Sequence, residues 1–289
     1  PAPSPGRDAP LPSLPPPVQT AAPTAPDPVA SIEATLRTAK VVRTMPLSKR
    51  SWTLQVVFEN GTKAVFKPFL KGNATAKYEV AYHRIARLLR LSNVPVAVLR
   101  DFPPGRLTAS LSSRHPDVVA AYAEQVDAGP DGRVRGALIA WMDNLEPVFP
   151  AGAGTGVLAD RFAGPPDREQ LDLVRTVMAD YLLGNWDRFS GGNLFRQKDG
   201  GGLVLLDHNG SFVTFSEKRQ QKMDSYLGLL PCAPADLVAR IRDLTEDDVR
   251  TASAADGTPI LGQREIDALF TRRAELLRHC DVLPPCRVY

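Results

Sequence analysis

Three cysteines in 289 residues, Cys232, Cys280 and Cys286, form no CxxC pair and sit in no Cys/His cluster. A thiolate-held metal is thereby excluded, because zinc and iron–sulfur sites need closely spaced soft ligands. Two readings of the cysteines stay open: a disulfide from Cys232 to either Cys280 or Cys286, which would suit an oxidising compartment, or isolated buried thiols. Long apolar runs are also missing. Nothing approaches the roughly 18 consecutive apolar residues of a membrane span, and no apolar secretory core is visible, so no integral membrane segment is expected. Nor does one charge dominate: 35 Lys and Arg against 32 Asp and Glu leave +3, with the two signs interspersed. Without a basic patch or stripe there is no electrostatic footprint of DNA or RNA binding, and no nucleic-acid partner is expected.

What the sequence does have is apolar content for a folded body: 43% of its residues are hydrophobic, enough for one large domain or two lobes. The first stretch, residues 1–29, is dominated by Pro, Ala and Ser. Such a segment buries too little apolar surface to offset the entropy lost on ordering, and it reads as a disordered tether rather than a proline-rich binding motif. A tether of this kind headed by Pro1 instead of Met leads to the expectation of an exported chain, secreted or periplasmic, although a trimmed chain would begin the same way.

From Val29 to about residue 102 the pattern is strand-like, then helical. WTLQVVFENGTKAVFKP alternates apolar and polar residues on both sides of Asn60-Gly61, which predicts two antiparallel strands joined by a tight two-residue turn. Residues 74–91 place Val80, Ala81, Ile85, Leu88 and Leu89 on one helical face. VPVAVLRDF, beginning at Val94, reads as a further strand, and GALIAWMDNLEP, beginning at Gly136, as a short strand followed by a turn. Pro166 and Asp167 open a long helix on which Leu171, Val174, Met178, Tyr181 and Leu182 recur at helical spacing, and Gly184-Asn185 end it. NLFRQKDGGGLVLLDHNGSF then gives two short strands around a Gly-rich turn, and further helices begin near Pro234, Thr245 and Gln263, with Thr245 and Asp248 approximating a capping box.

Chemistry concentrates at the ends of these elements. Asp187 follows the long helix, Asn193 starts the next strand, and the LVLL strand delivers Asp207 into a turn. Strand-turn-strand geometry brings Asp207 back beside Asn193. That pair offers hard oxygen donors to Mg²⁺ or Mn²⁺, with a separate carboxylate, Asp187, for an acceptor hydroxyl, as phosphoryl transfer requires. Taken singly, each residue has a plainer reading: Asp187 and Asp207 as turn formers, Lys67 and Glu79 as an exposed ion pair worth under about 1 kcal/mol, Asp180 as either a brace for the loop backbone or a solvated helix-end acid, His83 and His208 as structural. It is their order along the chain that favours a site.

DYLLGNWDRFSGGNLF followed by LVLLDHNGSF resembles the D-Y-L-x-x-N-x-D-R-x-x-x-x-N and I-D-x-G-x-x-F signatures of atypical kinases, a group that includes type II phosphatidylinositol 4-kinases, HipA-like kinases and secretory-pathway kinases related to Four-jointed. KAVFKP resembles their ATP-lysine strand, and KYEVAYHRIARLLRLSNVPVAVLRDF their E-x-A-x-x-x-L-x-R-L-L helix and following strand, so the resemblance spans most of residues 50–215. It implies Asp187 as the catalytic aspartate, Asn193 and Asp207 as metal ligands, Lys67 as the phosphate lysine with Glu79 its helix partner, and Ile139, Ala140, Trp141 and Met142 as the adenine-facing hinge. Arg188 would steady the loop by pairing with a carboxylate. Two departures stand out. Asp187 to Asn193 is six positions where the family has five, which makes Ser190 an alternative ligand, and no G-x-G-x-x-G precedes the lysine strand, leaving Ser48 and Lys49 as possible phosphate contacts.

The implied fold is α+β and two-lobed, protein-kinase-like: a small antiparallel sheet lobe with one helix over residues 30–142, then a mainly helical lobe over 143–289. The implied reaction is ATP-dependent transfer of the γ-phosphoryl group to a hydroxyl, with Mg²⁺ or Mn²⁺. Protein Ser/Thr is the first choice of acceptor and a lipid or polyol the second. A pseudokinase binding nucleotide or a partner, and an AMP transferase, are the readings of other classes. Oligomeric state is not legible.

Overall fold

The computed structural model describes residues 27–47, 52–111, 115–150, 154–164, 166–190 and 192–287. The Pro/Ala-rich start up to residue 26, together with Ser48 and Lys49, lies outside the described residues. The first described element is α1 (Pro28–Thr38). The Asp27 carboxylate accepts from Val29 N at 3.0 Å, and Pro28 occupies the first turn, where an absent N–H leaves nothing unpaired. The sequence pattern expects strand from Val29 onward. A helix stands there instead, with Leu36 its one buried residue.

After α1 come β1 (Val41–Pro46), β2 (Leu54–Phe58), β3 (Lys63–Pro68), α2 (Lys77–Leu88), β4 (Ala97–Phe102), α3 (Pro116–Gln125) and β5 (Val134–Ala140). The strands form one antiparallel sheet in the order β1-β2-β3-β5-β4. In the β2–β3 hairpin Leu54 pairs with Phe66 and Val57 with Lys63, and Phe58 N reaches Thr62 O at 2.9 Å. The turn is therefore the three residues Glu59–Gly61, with Gly61 at φ +82°, rather than the two-residue turn expected. Gly136 lets β5 approach β3 closely: a Cβ there would run into the Lys67 carbonyl and the Phe66 ring.

Alternation along β3 divides its side chains between two cores. Ala64 and Phe66 pack with Leu36, Val56, Phe58 and Leu138 on one face of the sheet. Val65 and Lys67 point to the other face, where α2 lies. Val80, Ala81, Ile85 and Leu89 are buried as their spacing implies, but Leu88 is 40% exposed, because the apolar stripe of α2 runs through Leu89, about 100° further round. The buried face of α2 joins a core that continues into the second half of the chain. The described residues of 30–142 thus carry three helices rather than one; α1 and α3 leave little apolar signal, burying one and two residues respectively.

The second half holds β6 (Leu145–Pro147), α4 (Gly154–Ala163), α5 (Arg168–Leu183), a 3₁₀ turn at Arg188–Ser190, β7 (Leu194–Gln197), β8 (Leu203–Leu205), α6 (Glu217–Leu227), α7 (Ala235–Asp243), α8 (Glu246–Ala252), the short pair β9 (Ala254–Ala255) and β10 (Thr258–Pro259), and α9 (Gln263–Cys280). β6, β7 and β8 make a three-stranded antiparallel sheet. α5 is the spine. Asp167 caps it by accepting from Gln170 N at 2.7 Å, and it is buried along most of its second half. It stops at Gly184, whose φ of +70° suits glycine and whose missing Cβ makes room for the Arg272 guanidinium. Thr245 and Asp248 form the capping box of α8, each accepting from the other's backbone N–H (3.1 and 3.0 Å).

A disulfide joins Cys232 to Cys286 with Cα atoms 4.9 Å apart, and Cys280 is free and buried. Backbone bonds flank the bridge, Cys286 N to Ala233 O at 3.0 Å and Ala233 N to Pro284 O at 2.9 Å, so the chain after α9 is latched to the segment before α7. The bridge closes a 54-residue interval. On the loop-entropy scale that constrains the unfolded chain by about 4 kcal/mol, and Cys286→Ser or reduction is expected to lower the melting temperature by roughly 10 °C in calorimetry. Equal melting with and without reductant would show that the bridge does not form in solution.

Candidate active site

β3 aims Lys67 across the sheet at α2, and its Nζ donates to Glu79 Oε1 at 2.6 Å and to Asp207 Oδ1 at 2.9 Å. Glu79 is only 1% exposed and Lys67 14%, which rules out a solvated surface pair; Asp207 is 42% exposed and faces open space. Asp207 sits just past β8 at φ +57°, a left-handed conformation that aspartate tolerates better than most residues. Glu79 is held from a second side as well: His208 donates to it through its backbone N at 3.0 Å and lies 3.1 Å away through Nδ1.

Burial works against charge on Lys67, yet Glu79 and Asp207 outweigh it and hold the ammonium above the usual lysine pKa. Burial alone would raise Glu79; the lysine charge and the His208 hydrogen bond overcome this and keep the carboxyl well below its usual range. Burial pushes His208 below the ordinary histidine value, so it is neutral near pH 7 and serves Glu79 as a hydrogen-bond donor rather than as a charge. Its Nε2 is buried without a hydrogen-bond partner.

On the opposite wall, Asn193 Nδ2 donates to Asp187 O at 3.1 Å and Asp187 Oδ2 at 3.3 Å, and Asp187 N reaches Asn185 Oδ1 at 3.3 Å. The long Asp187-to-Asn193 interval is absorbed by the 3₁₀ turn at Arg188–Ser190. Arg188 anchors that turn. Its guanidinium is fully buried, bonds Asp180 at 2.9 and 3.2 Å, and donates to the carbonyls of Asn193 (2.7 Å) and Leu206. Asp180 also accepts from Tyr82 Oη at 2.7 Å. One buried cation thereby ties the end of α5, the residue before β7 and the residue before Asp207 to each other. Asp180 braces the loop instead of ending a helix in solvent.

Between these walls lies a cleft of about 480 Å³. Ile139, Ala140, Trp141 and Met142 line it on the hinge side, and Lys67, Asn193 and Asp207 at its polar end. Asp187 and Glu79 do not line it; Glu79 acts from behind Lys67, and Asp187 lies beyond Asn193. Two hinge amides are already engaged, Ala140 N by Val96 O at 2.8 Å and Trp141 N by Lys63 O at 3.3 Å. Trp141 is pinned at the mouth by its indole N–H to Asp143 at 2.8 Å.

No family model matches the sequence, and no curated protein matches it. Solved structures do resemble the fold. A Golgi casein kinase aligns with a TM-score of 0.69 at 16% identity, covering 89% of this chain and 75% of that one. The Golgi casein kinase with Mn and ADP bound aligns at 0.67 and 15% identity, covering 87% and 75%, and hydra Fam20 with sugar at 0.65 and 16%, covering 88% of each chain. The chain has the atypical protein-kinase-like fold. At these identities the likeness is one of fold, and the role of each side chain has to be argued from the geometry of this chain.

In the kinase-like frame several neighbours of the site were not legible in the sequence. Trp186, beside Asp187, carries the Arg219 guanidinium 4.4 Å from its ring centroid and the Lys222 ammonium 5.3 Å away, both from α6. A cationic, aromatic cluster therefore adjoins Asp187. The hint was the alternation of basic residues in EKRQQK, which is indistinguishable from a solvated face until Trp186 is placed under it. Tyr82 and His208 are the other two; their partners lie 98 and 129 residues away.

As for a metal, no group of three or more His, Cys, Asp or Glu is arranged to hold one among the described residues. The donors at the polar end of the cleft nevertheless suit a hard divalent cation. Asp207 offers a partly exposed carboxylate, and Asn193, with its Nδ2 committed to Asp187, has its Oδ1 left as an acceptor. Mg²⁺ is commonly held by one or two such oxygens together with phosphates and water, without a full protein cage. The Ser190 side chain lies outside the described residues.

Proposed function

We propose that the chain is an ATP-dependent phosphotransferase that moves the γ-phosphoryl group to a hydroxyl, protein Ser/Thr being the preferred acceptor and a lipid or polyol the second choice. The observation that carries this reading is Lys67 held between buried Glu79 and half-exposed Asp207 at the polar end of an inter-lobe cleft. Lys67 would neutralise the α- and β-phosphates, and Glu79 would keep its ammonium aimed at them. Met142, at the hinge, would meet the adenine ring, the two preceding amides being taken. Asp207 and Asn193 would hold Mg²⁺ or Mn²⁺, which when bound supplies charge neutralisation on the transferring phosphoryl group. Asp187 would orient the acceptor hydroxyl and take its proton as the new P–O bond forms and the bond to the ADP oxygen breaks.

The reading divides the lobes at Met142, with residues 30–142 contributing Lys67, Glu79 and the hinge, and 143–289 contributing Asp187, Asn193 and Asp207. The Cys232–Cys286 bridge supports an exported setting, since disulfides persist in oxidising compartments. Among the described residues no helix is long and apolar enough to cross a membrane. Incubation with ATP labelled at the γ or α position, with Mg²⁺ or Mn²⁺, tests the reaction. γ-Label on a hydroxyl acceptor is the expected result. α-Label on the product would establish AMP transfer, and no label on any acceptor, with nucleotide bound, would establish a binding module.

A further inference from the structure

Behind the hinge, on the face opposite Trp141, lies a second concavity of about 560 Å³. Its walls come from α1 (Val29, Ile32), the loop after α2 (Leu91, Asn93, Val94) and the start of α5, with Leu203 and Val204 below. Its lining mixes apolar side chains with four arginines, Arg87, Arg90, Arg168 and Arg175. Arg87 is engaged by Asp27 (3.3 Å) and Glu33 (3.7 Å), and Arg175 by Asp236 (2.6 Å). The side chains of Arg90 and Arg168 have no ion-pair or hydrogen-bond partner among the described residues. The one carboxylate in the lining, Asp172, is held above its usual pKa by burial despite Arg168 and Arg175 nearby.

His83, 2% exposed, lies 3.7 Å from Glu33, and burial, with Arg87 and Arg84 beside it, outweighs a hydrogen bond with the Val94 backbone and pushes its pKa down to about 4. Asn93 Oδ1 is buried without a partner. Buried polar atoms left unpaired cost roughly 1–3 kcal/mol each, which is why such atoms are ordinarily paired by protein, water or ligand. The volume of the concavity falls in the small-ligand range.

We propose that this cavity is a second ligand site, for a small molecule that joins an anionic group to an apolar body, and that its occupancy is coupled to the nucleotide cleft. The anionic group meets Arg90 and Arg168, and the apolar body lies on Leu91, Val94 and Ile32. Coupling follows from a shared wall: Ala140 and Met142 line both this cavity and the nucleotide cleft. A ligand that fixes the hinge in one position favours or opposes nucleotide, and the effect is reciprocal. Only this second part rests on the proposed function.

The probe is 8-anilinonaphthalene-1-sulfonate, an aromatic sulfonate, titrated by fluorescence into the folded full chain. One saturable site is expected, weakened at least about 5-fold by Arg90→Ala with Arg168→Ala and by Ile32→Glu, two changes at exposed or half-exposed positions that leave the core alone. Unaltered binding in both variants, or displacement of the probe by ADP in simple competition, would place it elsewhere and overturn the site. Saturating probe is expected to shift ADP affinity at least about 2-fold in the wild type and not in the Ile32→Glu variant. If ADP binds with the same affinity with and without probe, the coupling is wrong; if ADP does not bind at all, the phosphotransferase reading fails while the probe titration still decides the site.

Discussion

Asp187→Ala is expected to lower phosphoryl transfer by about 10²–10⁴-fold, the range typical of losing a positioned general base, with ADP affinity changed less than about 3-fold. The split follows from position. Asp187 does not line the nucleotide cleft; its carboxylate accepts from Asn193, and its backbone N–H donates to the Asn185 side chain. Its loss removes a partner of the acceptor hydroxyl without touching Lys67, Asp207 or the hinge. Steady-state rates and calorimetric ADP binding on one preparation check both halves. A variant that turns over like the wild type would remove Asp187 from the reaction. Asp187→Asn is the stricter form, since it keeps the shape and the hydrogen bond to Asn193 while removing the basic oxygen.

Arg188→Leu carries the largest expected effect on stability. Removing one partner of a fully buried ion pair costs about 3–5 kcal/mol, because the remaining charge has no water to turn to. Here Asp180 would keep only Tyr82, and the carbonyls of Asn193 and Leu206 would lose the donor that draws them together. Urea unfolding should show the loss as a lowered midpoint with a similar slope. Pairing the change with Asp180→Leu should cost less than the two single changes summed, since the uncompensated charge then disappears. Arg188→Lys should not rescue, for a single ammonium cannot span a carboxylate and two carbonyls as the guanidinium fork does. Strict additivity in the double variant would mean that the pair is not coupled as drawn.

The parts of this fold that were legible in the sequence are those whose burial is one-sided and regular. α5 and α9 carry helical spacing over many turns, the hairpin carries alternation, and α8 carries its own cap. The helices that were not legible bury little: α6 is EKRQQKMDSYL, with only Met223, Tyr226 and Leu227 inside, and its role depends on Trp186 from another segment. At the site, the order Lys67, Glu79, Asp187, Asn193, Asp207 came from the motif resemblance, and the structure places Lys67, Asn193 and Asp207 on one cleft with Glu79 behind Lys67. Hidden from the sequence were the long-range supports: Tyr82 on Asp180, His208 on Glu79, and Arg188 bridging two carbonyls. They are ordinary residue types, and only the tertiary contacts that bring α2, the end of α5 and the segment after β8 together make them neighbours. The Leu88 exposure is the same lesson in reverse, since residue type alone does not say which of two adjacent leucines faces the core.

The most direct measurement is ADP affinity by calorimetry, with Mn²⁺ or Mg²⁺ and with chelator, in the wild type and in Asp207→Ala. In the wild type metal is expected to tighten ADP at least about 10-fold, because Asp207 and the phosphates share the cation, and in Asp207→Ala that gain should fall to near nothing. A metal-dependent gain of equal size in both proteins would contradict the assignment of the cation to Asp207 opposite Lys67.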